Sequence, residues 1–223
     1  GPDLLPSFDR TLSVYTKEAL LKRGVNVMLN TRVKDISRHK LTLKTLEGDK
    51  EISANIIIWA AGVEAVPITT EITNNLDRQK RILVNQFCSL NEHPEVFAIG
   101  DMAAFKTSNE TFLPGVSAVA MQQGRHVART IRRELSGKKR EPFSYVDKGN
   151  MATIGRKDAV AELFGFKLKG FIGWLAWLGV HLFYQVGFKN KLDILLTWIW
   201  SYLTFGAGVR VITDPIHDYE KDE

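Results

Sequence analysis

Residues 91–124 hold the side chains whose types and spacing best suit chemistry. A short apolar run at residues 96–99 stops at Gly100 and Asp101, which predicts a buried strand with a carboxylate at its carboxyl end. After a polar loop, a predicted helix opens with small residues at Ser117. In open α/β sheets, ligands bind beyond the carboxyl ends of strands, and electron-rich groups bind at helix N-termini. We therefore interpret this stretch as half of a flavin site.

A second predicted strand ends in small residues. Residues 52–59 include a nearly continuous apolar run, which predicts a strand buried on both faces, and Ala60, Ala61 and Gly62 follow it. Small residues at such a strand end allow a backbone or a cofactor to approach closely. Taken alone, the spacing of these residues favours an ordinary tight exit from a strand over a cofactor contact.

The elements that position these residues follow an α/β pattern with an antiparallel insertion. A first helix is predicted from a cap at Ser7 or Asp9 to a basic last turn before Gly24. The long helix is predicted at residues 117–135, and a helical turn is expected within the polar connection at residues 69–81. Strand character is predicted for residues 25–29, 33–36, 41–46, 52–59, 82–87 and 159–164, with a hairpin formed by residues 145–149 and 151–154.

Two apolar, aromatic runs, residues 171–188 and 192–209, dominate the C-terminal region. Each is close to the lower length limit for crossing a bilayer, so spanning helices, interfacial helices and core helices are all considered. In the second run a polar stripe repeats at helical spacing, which favours helices that lie in the membrane interface. The residues beyond 213 are charged, and we expect them to fray. The stripe consists of Asp193, Thr197, Ser201 and Thr204, opposite Leu195, Ile199 and Tyr202.

Composition narrows the possible partners. The formal charge of +5 suits an anionic membrane surface or nucleic acid, but zinc-finger and RNP-like motifs are absent from the sequence, so we expect no nucleic acid. Cys88 is the single cysteine, which excludes an intrachain disulfide and a cysteine-rich metal site. We predict no metal centre.

Four motifs together closely resemble the C-terminal half of the type II NADH dehydrogenases. They are Ile-Trp-Ala-Ala-Gly at residues 58–62, Val-Phe-Ala-Ile-Gly-Asp at 96–101, Ala-Val-Ala-Met-Gln-Gln-Gly at 118–124 and Tyr-Val-Asp-Lys-Gly at 145–149. The resemblance implies an α/β fold: the C-terminal part of a two-dinucleotide-binding-domain flavoprotein, with partial Rossmann-like domains and an α-helical, membrane-associating C-terminal region. The implied segments are a nicotinamide-domain part at residues 1–68, an FAD-domain part at 69–143 and a hairpin with anchoring helices at 144–223.

Neither Gly-rich dinucleotide fingerprint of that family is present, because the sequence holds no GxGxxG. The resemblance therefore implies a C-terminal fragment, and we expect the isolated chain to be catalytically inactive. A non-catalytic module for membrane association or dimerisation is one alternative. A sulfide:quinone oxidoreductase relative is another, but it requires reactive cysteines, and Cys88 stands alone in a predicted strand.

The resemblance also implies an activity and a location. The parent protein is expected to pass electrons from NADH, its substrate, through FAD to a membrane quinone without pumping protons. It is expected to be a peripheral (monotopic) protein on the cytoplasmic face of the bacterial inner membrane, bound to the anionic membrane surface and paired as a homodimer.

For the cofactor, the resemblance assigns Asp101 to a ribityl hydroxyl of FAD and Gly100 to close backbone approach. The N-terminus of the long helix is expected to face the flavin pyrimidine ring, whose negative charge after reduction its N–H groups stabilise. The complete set of expected cofactor-binding residues is Gly100, Asp101, Ser117, Ala118, Val119, Ala61 and Gly62.

For the quinone, the resemblance assigns catalytic roles to Gln122 and Lys148. A neutral amide donates to a quinone carbonyl without burying a charge, and an ammonium can supply a proton or stabilise anionic flavin. Many relatives carry a glutamine where this sequence has Val119, which removes one expected quinone contact. Gln123 is a weaker candidate for the same pocket.

Overall fold

The computed structural model describes residues 1–185 and 187–204, and this part of the chain forms two compact units. The first unit comprises residues 1–36, 41–52 and the described residues from Lys148 onward, and the second comprises residues 37–40 and 53–147. In chain order the elements are α1 (Arg10–Lys22), β1 (Arg32–Ser37), β2 (Lys40–Thr45), β3 (Gly48–Ser53), α2 (Ile68–Ile72), β4 (Ile82–Val84), a 3₁₀ turn (Gly100–Met102), β5 (Ala103–Phe105), α3 (Ser117–Leu135), β6 (Asn150–Gly155), β7 (Asp158–Leu163), β8 (Phe166–Lys169), α4 (Gly170–Tyr184) and α5 (Phe188–Thr204).

The first unit is built on the antiparallel sheet β6-β7-β8, with β7 in the centre. Ala159, Val160 and Ala161 of β7 are completely buried beneath α4. A Cβ on Gly173 of α4 would lie only 2.4 Å from the Ala159 carbonyl oxygen. The small side chains of β7 and the glycine of α4 therefore set how closely this helix packs on the sheet. A separate meander, in the order β1-β2-β3, belongs mainly to the same unit.

Helix α1 begins as predicted, because the Asp9 side chain caps it by accepting the Thr11 backbone N–H at 2.9 Å. Hydrogen bonds from Lys167 and Thr11 hold the pKa of Asp9 well below its usual range. At its other end, α1 is joined to β7 through the buried Asp158 carboxylate, which accepts from Tyr15 Oη at 2.9 Å and Arg23 Nη2 at 2.6 Å. The helix is thus anchored to the sheet at both ends.

The two apolar C-terminal runs form α4 and α5. Trp174 Nε1 of α4 donates to Tyr202 Oη of α5 at 2.9 Å, and the rings of Trp177 and Trp198 stack with centroids 5.7 Å apart. In the described part of the chain, no helix combines the length and apolar content needed to cross a membrane. The end of the second predicted run and the expected fraying beyond residue 213 lie outside the described residues.

The second unit contains the parallel pair β4 and β5, in which Ile82 lies opposite Ala103. Helix α3 covers the core of this unit, and the helix begins and ends at the predicted residues. The core holds buried side chains from β5, from α3 and from the segment that follows α3. Ile82 of β4 and Cys88, which follows β4, are also buried in this unit, together with Phe105, Val119, Val127 and Phe143.

Several predicted strands are wrong. Residues 54–67 form no strand, and Ile58 and Trp59 are 84% and 61% exposed rather than buried on both faces. Residues 25–29 are also irregular, and residues 96–99 form only an isolated bridge between Phe97 and Ser89. A strand exists only when a neighbouring strand supplies a continuous ladder of hydrogen bonds, and in the described part of the chain these segments make only isolated backbone hydrogen bonds, such as the one from Ala98 N–H to the Cys88 carbonyl oxygen.

The predicted hairpin is also displaced. Residues 141–149 are irregular, and β6 instead pairs with β7 across a turn at residues 156–157. The strands predicted at residues 33–36, 41–46 and 159–164 are confirmed, the strand at 82–87 is shorter, and the helical turn after residue 67 is α2. The three domain segments expected from the resemblance stay a prediction.

Candidate functional site

The Gly100–Asp101 turn is the first component of the candidate site. Gly100 has a φ of +67°, a left-handed conformation that favours glycine, and begins the 3₁₀ turn. A Cβ at this position would also lie 3.3 Å from the Cβ of Ala120 in α3. The turn therefore needs glycine both for its backbone conformation and for its contact with the helix.

Asp101 has an exposed side chain, and its carboxylate makes no hydrogen bond or ion pair with any described residue. A Cβ on Gly115 would lie 3.1 Å from Asp101 Oδ1, so the backbone at Gly115 runs directly beside this carboxylate. Asp101 is therefore an open acceptor beside Gly115, which lies two residues ahead of α3. A side-chain cap of the following turn by Asp101 would require a hydrogen bond from a backbone N–H to this carboxylate, and the described residues show none.

The N-terminus of α3 supplies donors next to that acceptor. Its N-cap, Val116, has no side chain that could accept a hydrogen bond from the first turn. Within the described residues, the backbone N–H groups of Ser117 and Ala118 have no acceptor. These two groups, aided by the helix dipole, can bind an anionic or electron-rich atom.

Val119 differs from its two neighbours. Its N–H donates to the Val116 carbonyl oxygen at 3.0 Å, and its side chain is buried in the core with Phe105 and Phe143. Val119 therefore packs the helix onto the second unit and offers no free group to a ligand. Its expected contact with the cofactor stays a prediction that these contacts do not favour.

Gln123 was only a weak candidate for the quinone, yet it is the most buried residue of this site, with 1% of its surface exposed. Its Oε1 accepts the Gly100 N–H at 2.7 Å, whereas its Nε2 has no partner in the described part of the chain. The signal was present in the sequence, because Gln123 lies four residues from Val119 and from Val127 on the buried face of α3.

Gln122 holds the segment after α3. Its Nε2 donates to the Val146 carbonyl oxygen and its Oε1 accepts the Val146 N–H, both at 3.0 Å. The amide therefore pairs with one backbone residue as a neighbouring strand would. One Nε2 proton stays available, and the expected quinone contact of Gln122 stays a prediction.

Ala61 and Gly62 lie in the exposed, irregular segment at residues 54–67. Gly62 has a φ of +115°, and a Cβ there would meet nothing within 4 Å. No hydrogen bond found in the described residues joins Ala61 or Gly62 to the Gly100–Asp101 turn. The structure thus does not bring these two predicted residues into the network around Gln123.

Lys148 belongs to the first unit, where its Nζ donates to Tyr184 Oη at 2.8 Å. The same Nζ lies 5.4 Å from the centroid of the Tyr184 ring. Lys148 is half-buried and has a defined hydrogen-bond partner, and its expected role at the quinone stays a prediction.

Thiol and metal chemistry find no support in this part of the protein. Cys88 is completely buried, and burial raises the pKa of its thiol to about 12, so the reactive thiolate is strongly disfavoured. Among the described residues, no cluster of His, Cys, Asp or Glu side chains could hold a metal ion.

A cavity of about 170 Å³ beside α3 is lined by His126, Arg129, Thr130, Arg133, Glu141, Pro142, Phe143 and Ser144.

Two family models match the sequence. The model described as pyridine nucleotide-disulphide oxidoreductase matches residues 1–124, which is more than half of the chain. The model described as the NDH2 C-terminal domain matches residues 148–206.

Two relatives illustrate the similarity. Type II NADH:quinone oxidoreductase Ndh of Mycobacterium tuberculosis is 38% identical over 222 residues, which cover 96% of this chain and 47% of that protein. The type II NADH:quinone oxidoreductase of Staphylococcus haemolyticus is 32% identical over 171 residues, which cover 76% of this chain and 42% of that protein. The chain thus spans about half the length of the relatives it matches.

Solved structures show the same fold. NDH2 from Plasmodium falciparum in complex with NADH matches with a TM-score of 0.83 and 17% identity, covering 94% of this chain and 58% of that one. The sulfide:quinone oxidoreductase of Aquifex aeolicus matches with a TM-score of 0.59 and 14% identity, covering 85% of this chain and 44% of that one. The predicted fold class, α/β with Rossmann-like parts and a helical C-terminal region, is confirmed.

Proposed function

Because this chain belongs to the pyridine nucleotide-disulphide oxidoreductase family, in the branch of the type II NADH dehydrogenases, we propose that its protein transfers electrons from NADH through FAD to a membrane quinone without pumping protons. The chain contributes one half of the flavin site together with a helical region for the membrane. Since the relatives are about twice as long, activity, substrates and partners belong to this proposal.

One observation carries the flavin assignment: the unpaired Asp101 carboxylate beside Gly115, next to the unpaired N–H groups of Ser117 and Ala118. The flavin has the matching groups, since its ribityl chain has hydroxyl donors and its pyrimidine ring has carbonyl and ring-nitrogen acceptors. The unpartnered Nε2 of Gln123 is a further buried donor in this unit. The donor and acceptor set therefore fits FAD.

When bound, FAD supplies hydride acceptance and electron release, which no side chain of this chain can perform. Asp101 accepts a hydrogen bond from a ribityl hydroxyl, and its charge strengthens that bond. The N–H groups of Ser117 and Ala118 hold the electron-rich edge of the ring, where they favour added negative charge. Gly100 and Gly115 leave room for close approach of the backbone.

For quinone reduction, we propose that Lys148 holds a proton on Nζ, where an ammonium can donate to a reduced quinone oxygen. Gln122 is proposed to donate its remaining Nε2 proton to a quinone carbonyl. Neither role requires Gln123, because its Oε1 already accepts the hydrogen bond from the Gly100 N–H.

For the membrane, α5 carries an exposed apolar face at helical spacing, formed by Leu192, Leu196, Ile199 and Leu203. Lys189 lies at the beginning of the same helix, where it suits anionic headgroups. We propose that this face seats the protein peripherally on the anionic, cytoplasmic face of the bacterial inner membrane. We also propose the homodimer expected from the family resemblance.

The flavin-loaded protein, which is the full-length protein with FAD bound, is used in stopped-flow kinetics to test the function. NADH should bleach the flavin absorbance near 450 nm, and a soluble quinone analogue should restore it. Asp101→Ala should lower flavin content, whereas Asp35→Ala, which removes an exposed carboxylate on β1, should not. Failure of NADH to reduce bound flavin would contradict the proposed enzyme, and no flavin under any loading condition would favour the non-catalytic module.

Two further variants separate the remaining roles. Gln122→Ala should slow reoxidation by quinone while leaving reduction by NADH unchanged, and equal loss in both half-reactions would contradict its quinone role. Replacing Leu196 and Leu203 together by glutamate should reduce binding to vesicles containing phosphatidylglycerol. The matched control is Leu46→Glu, because Leu46 is also an exposed leucine but lies outside α5. Unchanged vesicle binding of the double variant would contradict the membrane face.

A further inference from the structure

Lys148 and Tyr184 are 36 residues apart and belong to the same unit. The Lys148 ammonium donates to Tyr184 Oη at 2.8 Å, and both side chains are half-buried. A lysine side chain has four rotatable bonds, so an unheld ammonium samples many positions. Here the tyrosine hydroxyl selects one of them.

The backbones on both sides of this pair are firmly placed. Gly149, the residue after Lys148, runs so close to β7 that a Cβ on it would overlap the Glu162 carbonyl oxygen, at 1.7 Å. Tyr184 is the last residue of α4, and α4 is seated on β7 through Gly173 and Ala159. The same central strand therefore supports the lysine and the tyrosine that holds it.

We propose that Tyr184 is a positioning residue that holds the Lys148 ammonium in place for its work on the quinone. The role of Lys148 in this inference rests on the proposed function, whereas the contact between Lys148 and Tyr184 does not depend on it. Tyr184 acts through its hydroxyl, because the phenyl ring alone would leave the ammonium without an oxygen acceptor among the residues that the structure describes. Its contribution should disappear when the lysine is absent.

Chemical labelling tests the geometry without using activity. The purified protein is treated with an amine-acetylating reagent, and mass spectrometry measures acetylation of Lys148 relative to the exposed Lys189 in the same chain. Tyr184→Phe should raise this ratio by about two- to tenfold, the range expected for the loss of one hydrogen bond. The matched control, Tyr202→Phe, removes a hydroxyl that serves Trp174 in the same helix pair and should leave the ratio unchanged.

An unchanged ratio in Tyr184→Phe would overturn the inference, and so would an equal rise in both phenylalanine variants, which would indicate general loosening of the helix pair.

A double-mutant cycle on the flavin-loaded protein tests the consequence for quinone reduction. Tyr184→Phe should slow flavin reoxidation by quinone and spare reduction by NADH, and it should have no further effect when combined with Lys148→Met. Additive effects would overturn positioning through Lys148. If Lys148→Met itself leaves quinone reduction unchanged, the proposed role of Lys148 fails, while the labelling ratio still decides whether Tyr184 positions the ammonium.

Discussion

The side chain of Gln123 accepts a hydrogen bond from the Gly100 backbone N–H at 2.7 Å, and this bond ties the Gly100–Asp101 turn to the middle of α3. Gln123 is almost completely buried, so water cannot replace the bond if it is lost. The turn and the helix N-terminus that together form the candidate flavin site are therefore fixed to each other by a side chain that faces the core.

Gln123→Leu should lower the free energy of unfolding by about 1–3 kcal/mol, because it removes the side-chain acceptor of the partly buried Gly100 N–H. Urea denaturation of the purified protein measures this loss. Gln79→Leu is the control, since Gln79 is exposed and its side chain makes no hydrogen bond in the described part of the protein. Equal midpoints for the two variants would contradict a structural role for Gln123.

Gly100→Ala should destabilise the protein more than Gly137→Ala. Both glycines have a φ close to +68°, at +67° and +69°, and alanine in that conformation costs about 1–2 kcal/mol. Only at Gly100 would the new Cβ also press on Ala120, since a Cβ on Gly137 meets nothing within 4 Å. Denaturation measures the difference, and flavin content should fall for Gly100→Ala alone. A loss of flavin in both variants would argue against a local effect.

Two glycines of α4 should respond to alanine with opposite signs. Gly173→Ala should cost about 1–3 kcal/mol, because its Cβ would lie 2.4 Å from the Ala159 carbonyl oxygen and force α4 away from β7. Gly179→Ala has open space and should stabilise the helix by about 0.5–1 kcal/mol. Thermal unfolding distinguishes the two, and a stabilising Gly173→Ala would show that α4 does not pack this closely.

His126 should make stability depend on pH. Burial, and then the charge of Arg129, lower the pKa of His126 below its usual value, and Glu141 only partly opposes them. The folded protein therefore favours the neutral imidazole. The contribution of His126 to the free energy of unfolding is complete above the pKa of 6.5 that the unfolded chain has, and it is lost as the pH falls through the lower pKa of the folded protein.

The free energy of unfolding should therefore fall from pH 7.5 towards pH 5. In the His126→Asn variant it should fall less steeply over the same range. Urea denaturation at several pH values gives both slopes, with His39→Asn at the exposed β1–β2 hairpin as the matched control. Parallel slopes for the protein and His126→Asn would contradict this assignment.

The sequence predicted the positions of α1 and α3 more accurately than the positions of the strands. For α1 and α3 the predicted positions are confirmed, because a cap such as Asp9 and the spacing of apolar residues act within one helix. The apolar run at residues 52–59 shows the opposite case. Its composition predicts a buried strand, but a strand requires hydrogen-bonding partners from elsewhere, and the exposed Ile58 and Trp59 have none in the described chain.

The sequence by itself determined the positions of α1 and α3, the presence of a carboxylate directly after Gly100 and the resemblance to the type II NADH dehydrogenases. These depend on residue type and on neighbours a few positions apart. Tertiary structure alone decided that Gln123 holds Gly100, that Gln122 holds Val146 and that Lys148 meets Tyr184. Each of these bonds joins residues 23 to 36 positions apart. The reason is that such a side chain finds its partner only after the packing of helices and strands brings the two segments together.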